Sequence, residues 1–373
     1  MSDAHPGRLA VRAVRELSPY VPGKPISELE RELGLRDIVK LASNENPHGA
    51  SRRALAAMRA AIEDVWLYPD GSCYALKLAL AQQLQVRSEC ITLGNGSNDL
   101  LVLLAEAFLT PAHAAVHSQY SFAIYPIVIR GTGARAIEVP ALNAGTPMPL
   151  GHDLPAMLAA VTPDTRLVFI ANPNNPTGTW TGAEALKRFL ECVSSDTIVV
   201  LDEAYFEYAR ERGVADSAPW LAEHPNLVIT RTFSKAYGLA GVRVGYCLSH
   251  PEISDVLNRL RPPFNVNSVA QAGALAALAD QTHMRESVAQ TMRELTRVES
   301  ELRRMKLWTA PSATNFLLVR LGMPAGPVYE RLLREGVIVR PIGGAGLQDA
   351  LRVSIGTRAH NDRLLEALPR VLS

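Results

Sequence analysis

The sequence predicts an α/β protein built on a doubly wound, mostly parallel sheet, with a smaller α+β part at its C-terminal end. Two observations support this fold. Short apolar runs followed by turn residues alternate with helical segments from about residue 51 to residue 248. Longer helices and shorter strands replace this alternation in the last third of the chain. Apolar runs without polar alternation are typical of parallel strands covered on both faces.

The elements of the first part follow one another in chain order. Strands are predicted over residues 90–93, 114–116, 136–139, 166–171, 197–201, 226–230 and 242–248. Helices are predicted over residues 51–65, 98–109 and 181–193. Ser51 opens the first helix, where a serine side chain can accept a hydrogen bond from a free backbone N–H.

The last third predicts an α+β pattern. Helices are expected over residues 268–279, 283–305, 328–335 and 361–372, and strands over residues 315–319, 337–340 and 351–354. Pro262 and Pro263 mark a turn before the first of these helices, so a boundary is expected near residues 265–285. We assign residues 46–270 to a large domain, and residues 1–45 and 271–373 to a small one.

The composition excludes several classes of function. Of 373 residues, 47% are hydrophobic and 20% are charged, which is ordinary for a globular protein. The 38 basic and 37 acidic residues leave a net charge of +1, which argues against a nucleic-acid or anionic-membrane partner. No run of about 20 residues is apolar enough to span a bilayer, and residues 1–17 lack the apolar stretch of a secretory signal. We expect a soluble, cytoplasmic protein.

No metal site is expected. The four cysteines form no CxxC pair, so neither a zinc ribbon nor a thioredoxin motif is present. His113 and His117 have a spacing that suits a metal site on a helix. They fall in a predicted strand, however, where residues four apart are separated by about 13 Å.

Four segments with candidate functional residues follow predicted strands, where open α/β sheets bind ligands. Residues 94–98 (Gly-Asn-Gly-Ser-Asn) join a strand to a helix, and their small side chains would let an anion approach free N–H groups. An ordinary strand-to-helix turn is the alternative. Residues 172–178 contain two prolines and a glycine and are equally well explained as a rigid turn. Neither segment is a GxGxxG fingerprint, so a nicotinamide dehydrogenase is not supported.

The other two segments carry charged side chains. Asp202 follows a predicted buried strand, where a carboxylate requires a positive partner such as a protonated ring nitrogen, unless it only caps a helix. Lys235 lies among hydroxyls and glycines after another strand and could be a nucleophilic amine. Thr232, Ser234 and Arg243 could donate to a phosphate. A lysine, a carboxylate and a phosphate site are together what pyridoxal phosphate requires from a protein.

This combination resembles the fold-type-I, pyridoxal-phosphate-dependent aminotransferases of the aspartate aminotransferase superfamily. The matching motifs are Asn175-Pro176-Thr177-Gly178, Asp202-x-x-Tyr205, and Ser234-Lys235 followed by Arg243. The resemblance extends from about Leu17 to the end of the chain. It implies pyridoxal 5'-phosphate as the cofactor, in the large domain, and amino transfer as the reaction.

The resemblance also implies a role for each matching residue. Lys235 would form the covalent link to the cofactor and then act as general base, and Asp202 would keep the ring nitrogen protonated. The remaining implied contacts are Asn175 and Tyr205 at the phenolic oxygen, Ser97 and Asn98 at the phosphate and ring edge, and Thr232, Ser234 and Arg243 at the phosphate.

Two tyrosines complete the implied cofactor site. Tyr120 corresponds to the aromatic residue that stacks on the cofactor ring, although His117-Ser118-Gln119 departs from the Pro-Thr that commonly precedes it. Tyr68 resembles the tyrosine that reaches the cofactor phosphate of the neighbouring subunit. The resemblance therefore implies a homodimer.

Several segments resemble the histidinol-phosphate aminotransferase group of this superfamily. Residues 41–49 match its LxxNENPxG box, which contains Asn46, and residues 351–358 match its LRxxxGT(R) segment. Tyr20 stands where the group has a substrate-contacting tyrosine. Arg352 corresponds to the arginine that binds a substrate carboxylate, and Arg340 is a second arginine suited to a phosphate, unless it is a surface charge.

The group resemblance implies reversible amino transfer between histidinol phosphate and 2-oxoglutarate, giving imidazole acetol phosphate and glutamate in histidine biosynthesis. An aromatic amino-acid aminotransferase is the main alternative, and a threonine-phosphate decarboxylase on the same scaffold is another. A regulator built on the same fold is a remote alternative, since only about 45 residues precede the NENP box, too few for an added DNA-binding domain.

Overall fold

The computed structural model describes residues 6–373 of the chain. Its strands, in chain order, are β1 (Val39–Lys40), β2 (Ile91–Gly94), β3 (Ala114–Ser118), β4 (Arg135–Val139), β5 (Thr165–Ala171), β6 (Ile198–Asp202), β7 (Leu227–Thr232), β8 (Gly245–Ser249), β9 (Trp308–Thr309), β10 (Phe316–Arg320), β11 (Val337–Ile338), β12 (Arg340–Pro341) and β13 (Ala350–Ser354).

The helices, numbered in the same way, are α1 (Arg12–Arg15), α2 (Ile26–Leu33), α3 (Arg52–Ile62), α4 (Tyr74–Leu84), α5 (Ser97–Phe108), α6 (Ile124–Gly131), α7 (Leu154–Ala159), α8 (Ala183–Cys192), α9 (Phe206–Arg210), α10 (Pro251–Leu260), α11 (Ser268–Ala279), α12 (Gln281–Arg304), α13 (Ala325–Arg334) and α14 (Arg358–Leu372). None of these helices, within residues 6–373, combines the length and the apolar character of a membrane span.

A central seven-stranded sheet has the order β2-β8-β7-β6-β5-β3-β4. Strands β4, β3, β5, β6 and β7 pair in parallel, whereas β8 is antiparallel to both of its neighbours. Successive residues of β5 enter two different apolar clusters, Val168 on one face and Phe169 on the other. Because both faces of the sheet are covered, the run from Leu167 to Ala171 in β5 is apolar. The predicted mostly parallel α/β sheet is confirmed.

The strand register places the predicted functional segments at one edge of this sheet. Ala171, the last residue of β5, pairs with Asp202 at the end of β6, and Asp202 pairs with Thr230 of β7. Parallel strands end on the same side of a sheet, so the segments that follow them share one crevice.

The last third of the chain forms smaller sheets. Strands β12, β13, β10 and β9 make an antiparallel sheet in that order, and β1 pairs in parallel with β11. The β1–β11 pair joins residues 39–40 to the C-terminal part of the chain. This supports the grouping of residues 1–45 with 271–373, and the domain boundaries stay a prediction.

Most predicted elements are found within a few residues of their expected positions. Helix α11 coincides with the predicted range, and the Ser51 hydroxyl accepts from Ala54 N at 3.1 Å at the start of α3. The single strand predicted over residues 337–340 is instead divided between β11 and β12, since its two halves pair in different sheets. Helices α1, α2, α4, α6, α7, α9 and α10 had no predicted counterpart.

A buried ion pair joins the ends of β6 and β7. Arg231 donates to Glu203 from Nε at 2.8 Å and from Nη2 at 2.6 Å, and both side chains are 2% exposed. The same Nη2 donates to Asp216 at 2.7 Å, and the guanidinium carbon lies 3.6 Å from the centre of the Phe206 ring. Charges this deeply buried are tolerated only when paired, so the pair fixes how the two strand ends meet.

We expect Glu203→Gln to lower the free energy of unfolding by about 3 kcal/mol or more, because it leaves the Arg231 charge buried with only a partly exposed partner. Urea denaturation of both proteins measures the change. Arg188→Ala, which removes the exposed Arg188–Glu184 pair of α8, is the control and should leave the unfolding midpoint nearly unchanged. Equal midpoints for wild type and Glu203→Gln would contradict a structural role for the pair.

Candidate active site

A cavity of about 220 Å³ opens at the carboxyl ends of β5, β6 and β7. Most of the residues predicted to form the site line it together: Tyr20, Ser97, Asn98, Asn175, Asp202, Tyr205, Thr232, Ser234, Lys235, Arg243, Arg340 and Arg352. The structure thus brings together residues from both ends of the chain. Tyr68, Tyr120 and Asn46 are not among its lining residues.

Lys235 follows β7 in a turn, and its Nζ donates to the Ser43 carbonyl at 3.2 Å. Burial lowers the pKa of Lys235 to about 8, and the nearby Arg352 charge acts in the same direction. The carboxylate of Glu45 acts in the opposite direction. The neutral form of the Lys235 amine, which nucleophilic attack and proton abstraction both require, is therefore a minor but much larger fraction near physiological pH than in an ordinary lysine.

Asp202 ends β6 and is 5% exposed. Its Oδ2 accepts from Tyr125 Oη at 2.8 Å, and its Oδ1 accepts from Thr230 Oγ1 at 3.1 Å and from Ala204 N at 3.2 Å. Burial raises the pKa of Asp202, while the hydrogen bonds from Tyr125 and Thr230 oppose that shift by stabilising the charged form. The carboxylate can hold a cationic N–H group that enters the cavity.

Thr232, Ser234, Arg243 and the N-terminus of α5 form a site that we call the anion cradle, between α5 and the turn after β7. We call residues 94–98 the phosphate loop. Arg243 Nη1 donates to Ser234 Oγ at 3.2 Å, and Thr232 Oγ1 donates to the same oxygen at 2.9 Å. Gly96 has φ +86, and a β-carbon there would lie 2.2 Å from Arg243 Nη2, so only glycine permits this approach. Asn98 Oδ1 is buried without a partner.

This donor set fits a phosphate group. A guanidinium, hydroxyls from two side chains and the N-terminus of α5 converge on one cavity wall. The amine of Lys235 and the carboxylate of Asp202 face the same cavity. The cavity therefore presents the groups that pyridoxal phosphate needs at its phosphate, its aldehyde and its ring nitrogen.

Polar side chains from distant elements also meet at the cavity. Asn44 Nδ2 donates to Tyr205 Oη at 2.8 Å, and Arg352 Nη1 donates to Asn175 Oδ1 at 2.6 Å. Burial raises the pKa of Tyr205 to about 12, so its hydroxyl stays protonated and can donate into the cavity. Asn175 keeps its amide N–H groups available for the same purpose.

Sequence reasoning did not select Asn44 and Phe122, whose side chains belong to the cavity lining, nor Tyr125, which donates to Asp202. Phe122 lines the cavity, whereas Tyr120 lies outside it and its carbonyl accepts from Asn174 Nδ2 at 2.5 Å. Of these two aromatic residues, Phe122 and not Tyr120 lines the cavity, because the chain turns between the end of β3 and the start of α6. Tyr125 packs edge-on against Phe122, with ring centres 5.8 Å apart.

The Asn46 side chain forms hydrogen bonds within the protein. Its Nδ2 donates to the Ala236 carbonyl at 2.8 Å, and its Oδ1 accepts from His48 N at 2.9 Å. Both polar groups are therefore occupied, and Asn46 fastens its loop to the turn that carries Lys235. Asn46, the predicted substrate contact, is not among the lining residues, whereas Asn44, two residues earlier in the same NENP box, lines the cavity.

Tyr68 lies away from the cavity of its own chain. Its side chain is 83% exposed, and its ring stacks on Phe264 with centres 4.7 Å apart. We call residues 63–73, between α3 and α4, the Tyr68 loop. Large apolar side chains around it are also exposed, including Trp66 at 79%.

A second cavity of about 840 Å³ adjoins the first and shares Tyr20, Phe122, Arg340 and Arg352 with it. Residues 18–25 of the N-terminal segment form one part of its wall, and residues within 121–127 and 339–344 form others. Arg340 Nη2 donates to the Val21 carbonyl at 2.5 Å, and its guanidinium carbon lies 5.7 Å from the Tyr20 ring centre. The space is large enough for a substrate with an anionic end near Arg340.

Comparisons with known proteins agree with this geometry. The family model of the class I and II aminotransferases matches residues 36–368. The crystal structure of histidinol-phosphate aminotransferase from Sinorhizobium meliloti, in complex with pyridoxal-5'-phosphate, superimposes with a TM-score of 0.89 at 33% identity and covers 97% of each chain.

Sequence relatives are closer still. A histidinol-phosphate aminotransferase of Pseudomonas fluorescens is 54% identical over 367 residues, and one of Pseudomonas aeruginosa is 53% identical over 369 residues, each with 98% of both chains covered. The predicted family is confirmed: the chain belongs to the class I and II aminotransferases and, within them, to the histidinol-phosphate aminotransferases.

Proposed function

We propose that this protein is a pyridoxal-phosphate-dependent transaminase that transfers the amino group of histidinol phosphate to 2-oxoglutarate, giving imidazole acetol phosphate and glutamate, a step of histidine biosynthesis. The observation that carries the proposal is the convergence of Lys235, Asp202 and the anion cradle on one cavity. The relatives named above support this choice of substrate. A cytoplasmic location stays a prediction.

The cofactor would be held by the residues whose free groups face the cavity. Thr232, Ser234 and Arg243 would hold its phosphate, Ser97 and Asn98 its phosphate and ring edge, and Asp202 its ring nitrogen. Asn175 and Tyr205 would donate to its phenolic oxygen, and Phe122 would cover its ring. When bound, the cofactor supplies an electron sink for the bond that breaks at the substrate carbon.

Three side chains would control the protons of the reaction. Lys235 Nζ, as a neutral amine, would accept the proton from the substrate carbon that bears the amino group. Asp202, held by Tyr125 and Thr230, would remain charged and keep the proton on the ring nitrogen. Tyr205 Oη, which accepts from Asn44, would point its own proton towards the phenolic oxygen.

Two arginines would bind the anionic end of the substrate. Arg340 lies at the junction of the two cavities beside Tyr20, and Arg352 lies deeper, where it also holds Asn175. A guanidinium fork matches the oxygens of a phosphate or carboxylate. We assign the substrate phosphate to Arg340 and Tyr20, with Arg352 as the carboxylate partner for 2-oxoglutarate and glutamate.

We further propose a homodimer in which Tyr68 reaches the cofactor phosphate of the neighbouring subunit. The exposed apolar side chains on and around the Tyr68 loop support this proposal, since large exposed apolar side chains grouped in one segment are typical of a protein contact. Those with the largest exposure are Ile62, Val65, Trp66, Leu67, Tyr68, Tyr74 and Leu78.

The proposed reaction is tested by steady-state turnover with each amino donor. We expect histidinol phosphate to have a higher kcat/KM than phenylalanine, and Lys235→Ala to abolish transamination with both. Better turnover of phenylalanine would indicate an aromatic amino-acid aminotransferase. Release of CO2 from threonine phosphate would indicate the decarboxylase alternative.

Arg340→Ala should raise KM for histidinol phosphate by about 10- to 100-fold, because it removes a charge-assisted contact to the phosphate. KM for phenylalanine, which has no phosphate, should change little. Arg340→Lys is the matched variant. Its KM for histidinol phosphate should lie between those of the wild type and Arg340→Ala, since lysine keeps the charge but loses the fork. An equal rise in KM for both donors would contradict a phosphate-specific role.

The rate at which the apoprotein captures pyridoxal phosphate should rise about ten-fold per pH unit and level off above about pH 8, since only the neutral Lys235 amine reacts. Absorbance after rapid mixing measures this rate, and the same reaction with N-acetyl-lysine corrects for titration of the cofactor. Glu45→Gln should move the midpoint to lower pH, because Glu45 raises the pKa of Lys235. A midpoint near that of free lysine would contradict the expected shift.

A further inference from the structure

We propose that Arg261, Asn265 and Asp99 are positioning residues that hold the phosphate loop and the Tyr68 loop as one unit. The inference rests on the proposed function, because it assumes that the phosphate loop binds the cofactor phosphate. None of the three residues lines the cavity, so each acts through the loops that it supports.

Asp99 and Asn265 hold the phosphate loop from behind. The Asp99 Oδ2 atom, in the first turn of α5, accepts from Asn95 N at 2.9 Å. Asn265 Nδ2 donates to the same oxygen at 2.9 Å and to the Leu93 carbonyl at 3.3 Å. The Asn265 amide thus contacts both the strand that enters the loop and the helix that leaves it.

Arg261 extends this support to the Tyr68 loop. Its Nη1 donates to Asn265 Oδ1 at 2.7 Å, and its Nη2 donates to the Gly71 carbonyl at 2.9 Å. Its Nε donates to Asn258 Oδ1 at 3.1 Å, which fixes the guanidinium on α10. A single planar fork therefore connects Asn265 to the Tyr68 loop in a defined geometry.

Phe264 makes a second contact between the same segments. Its φ of +58 is in the left-handed region, which an aromatic residue rarely adopts. In this conformation its ring stacks on Tyr68 at 4.7 Å, while the next residue, Asn265, contacts Asp99. Unfavourable backbone geometry of this kind persists only where surrounding contacts hold it.

The arrangement has a consequence for the two sites of the proposed dimer. The loop that binds the phosphate in one subunit rests on the same residues as the loop that carries Tyr68 towards the neighbouring site. Loss of Asn265 should therefore loosen both loops together, although twenty residues separate them in the sequence.

The first test compares affinity for pyridoxal phosphate with affinity for pyridoxal, which lacks the phosphate. Asn265→Ala should weaken binding of pyridoxal phosphate by about ten-fold or more and leave pyridoxal within about two-fold, since the Lys235 contact is common to both. Asp99→Asn, which keeps the side-chain shape but removes the charge, should show the same selective loss. Arg259→Ala, on the exposed surface of α10, is the control and should change neither affinity.

The second test is hydrogen exchange of the backbone amides in the holoenzyme. Asn265→Ala should speed exchange in residues 66–71 and 94–98 together, and Arg259→Ala in neither. Faster exchange in only one of the two loops, or equal weakening of both ligands, would overturn the proposal. If the wild-type protein does not bind pyridoxal phosphate more tightly than pyridoxal, the phosphate site itself, and with it the proposed function, is wrong.

Discussion

The Asp202 carboxylate lies in the protein interior at the end of β6, and three other elements are arranged to stabilise its charge. Tyr125 reaches it from α6, Thr230 from β7, and the backbone N–H of Ala204 from the following turn. A buried carboxylate without such partners would become protonated. The need to satisfy this one group constrains the register of β6 against β7 and the position of α6.

The neighbouring Arg231–Glu203 ion pair joins the ends of β6 and β7 on the other face of the sheet. Residues alternate in direction along a strand, so Thr230 and Thr232 face the cavity region while Arg231 between them is directed elsewhere and buried with Glu203. The two threonines therefore serve the cavity side of β7, while the Arg231–Glu203 pair holds its other side. The ion pair fastens the end of β7, from which the turn with Lys235 begins, to the residue that follows β6.

Sequence reasoning identified cavity residues most reliably where a polar residue directly follows a predicted strand. Lys235, Asp202, Ser234 and Arg243 follow apolar strands, and the rule that ligands bind at strand ends was enough to select them. It was less successful in the segment between β3 and α6, where Tyr120 was chosen and Phe122 lines the cavity. Two aromatic residues so close in sequence cannot be distinguished by pattern, since the turn between them decides which side chain faces the pocket.

The order of apolar runs, the turn residues after them and the charged residues in those turns are properties of the chain alone, and they were sufficient for the α/β fold and for the groups that the cofactor requires. The partners of those groups were decided only in three dimensions. Asn44 hydrogen-bonds Tyr205, which is 161 residues away in the sequence, and Arg352 hydrogen-bonds Asn175, which is 177 residues away. The Asn46 amide donates to the Ala236 carbonyl. The physical reason is that hydrogen bonds depend on distance and direction in space, and these are determined by how helices and sheets pack.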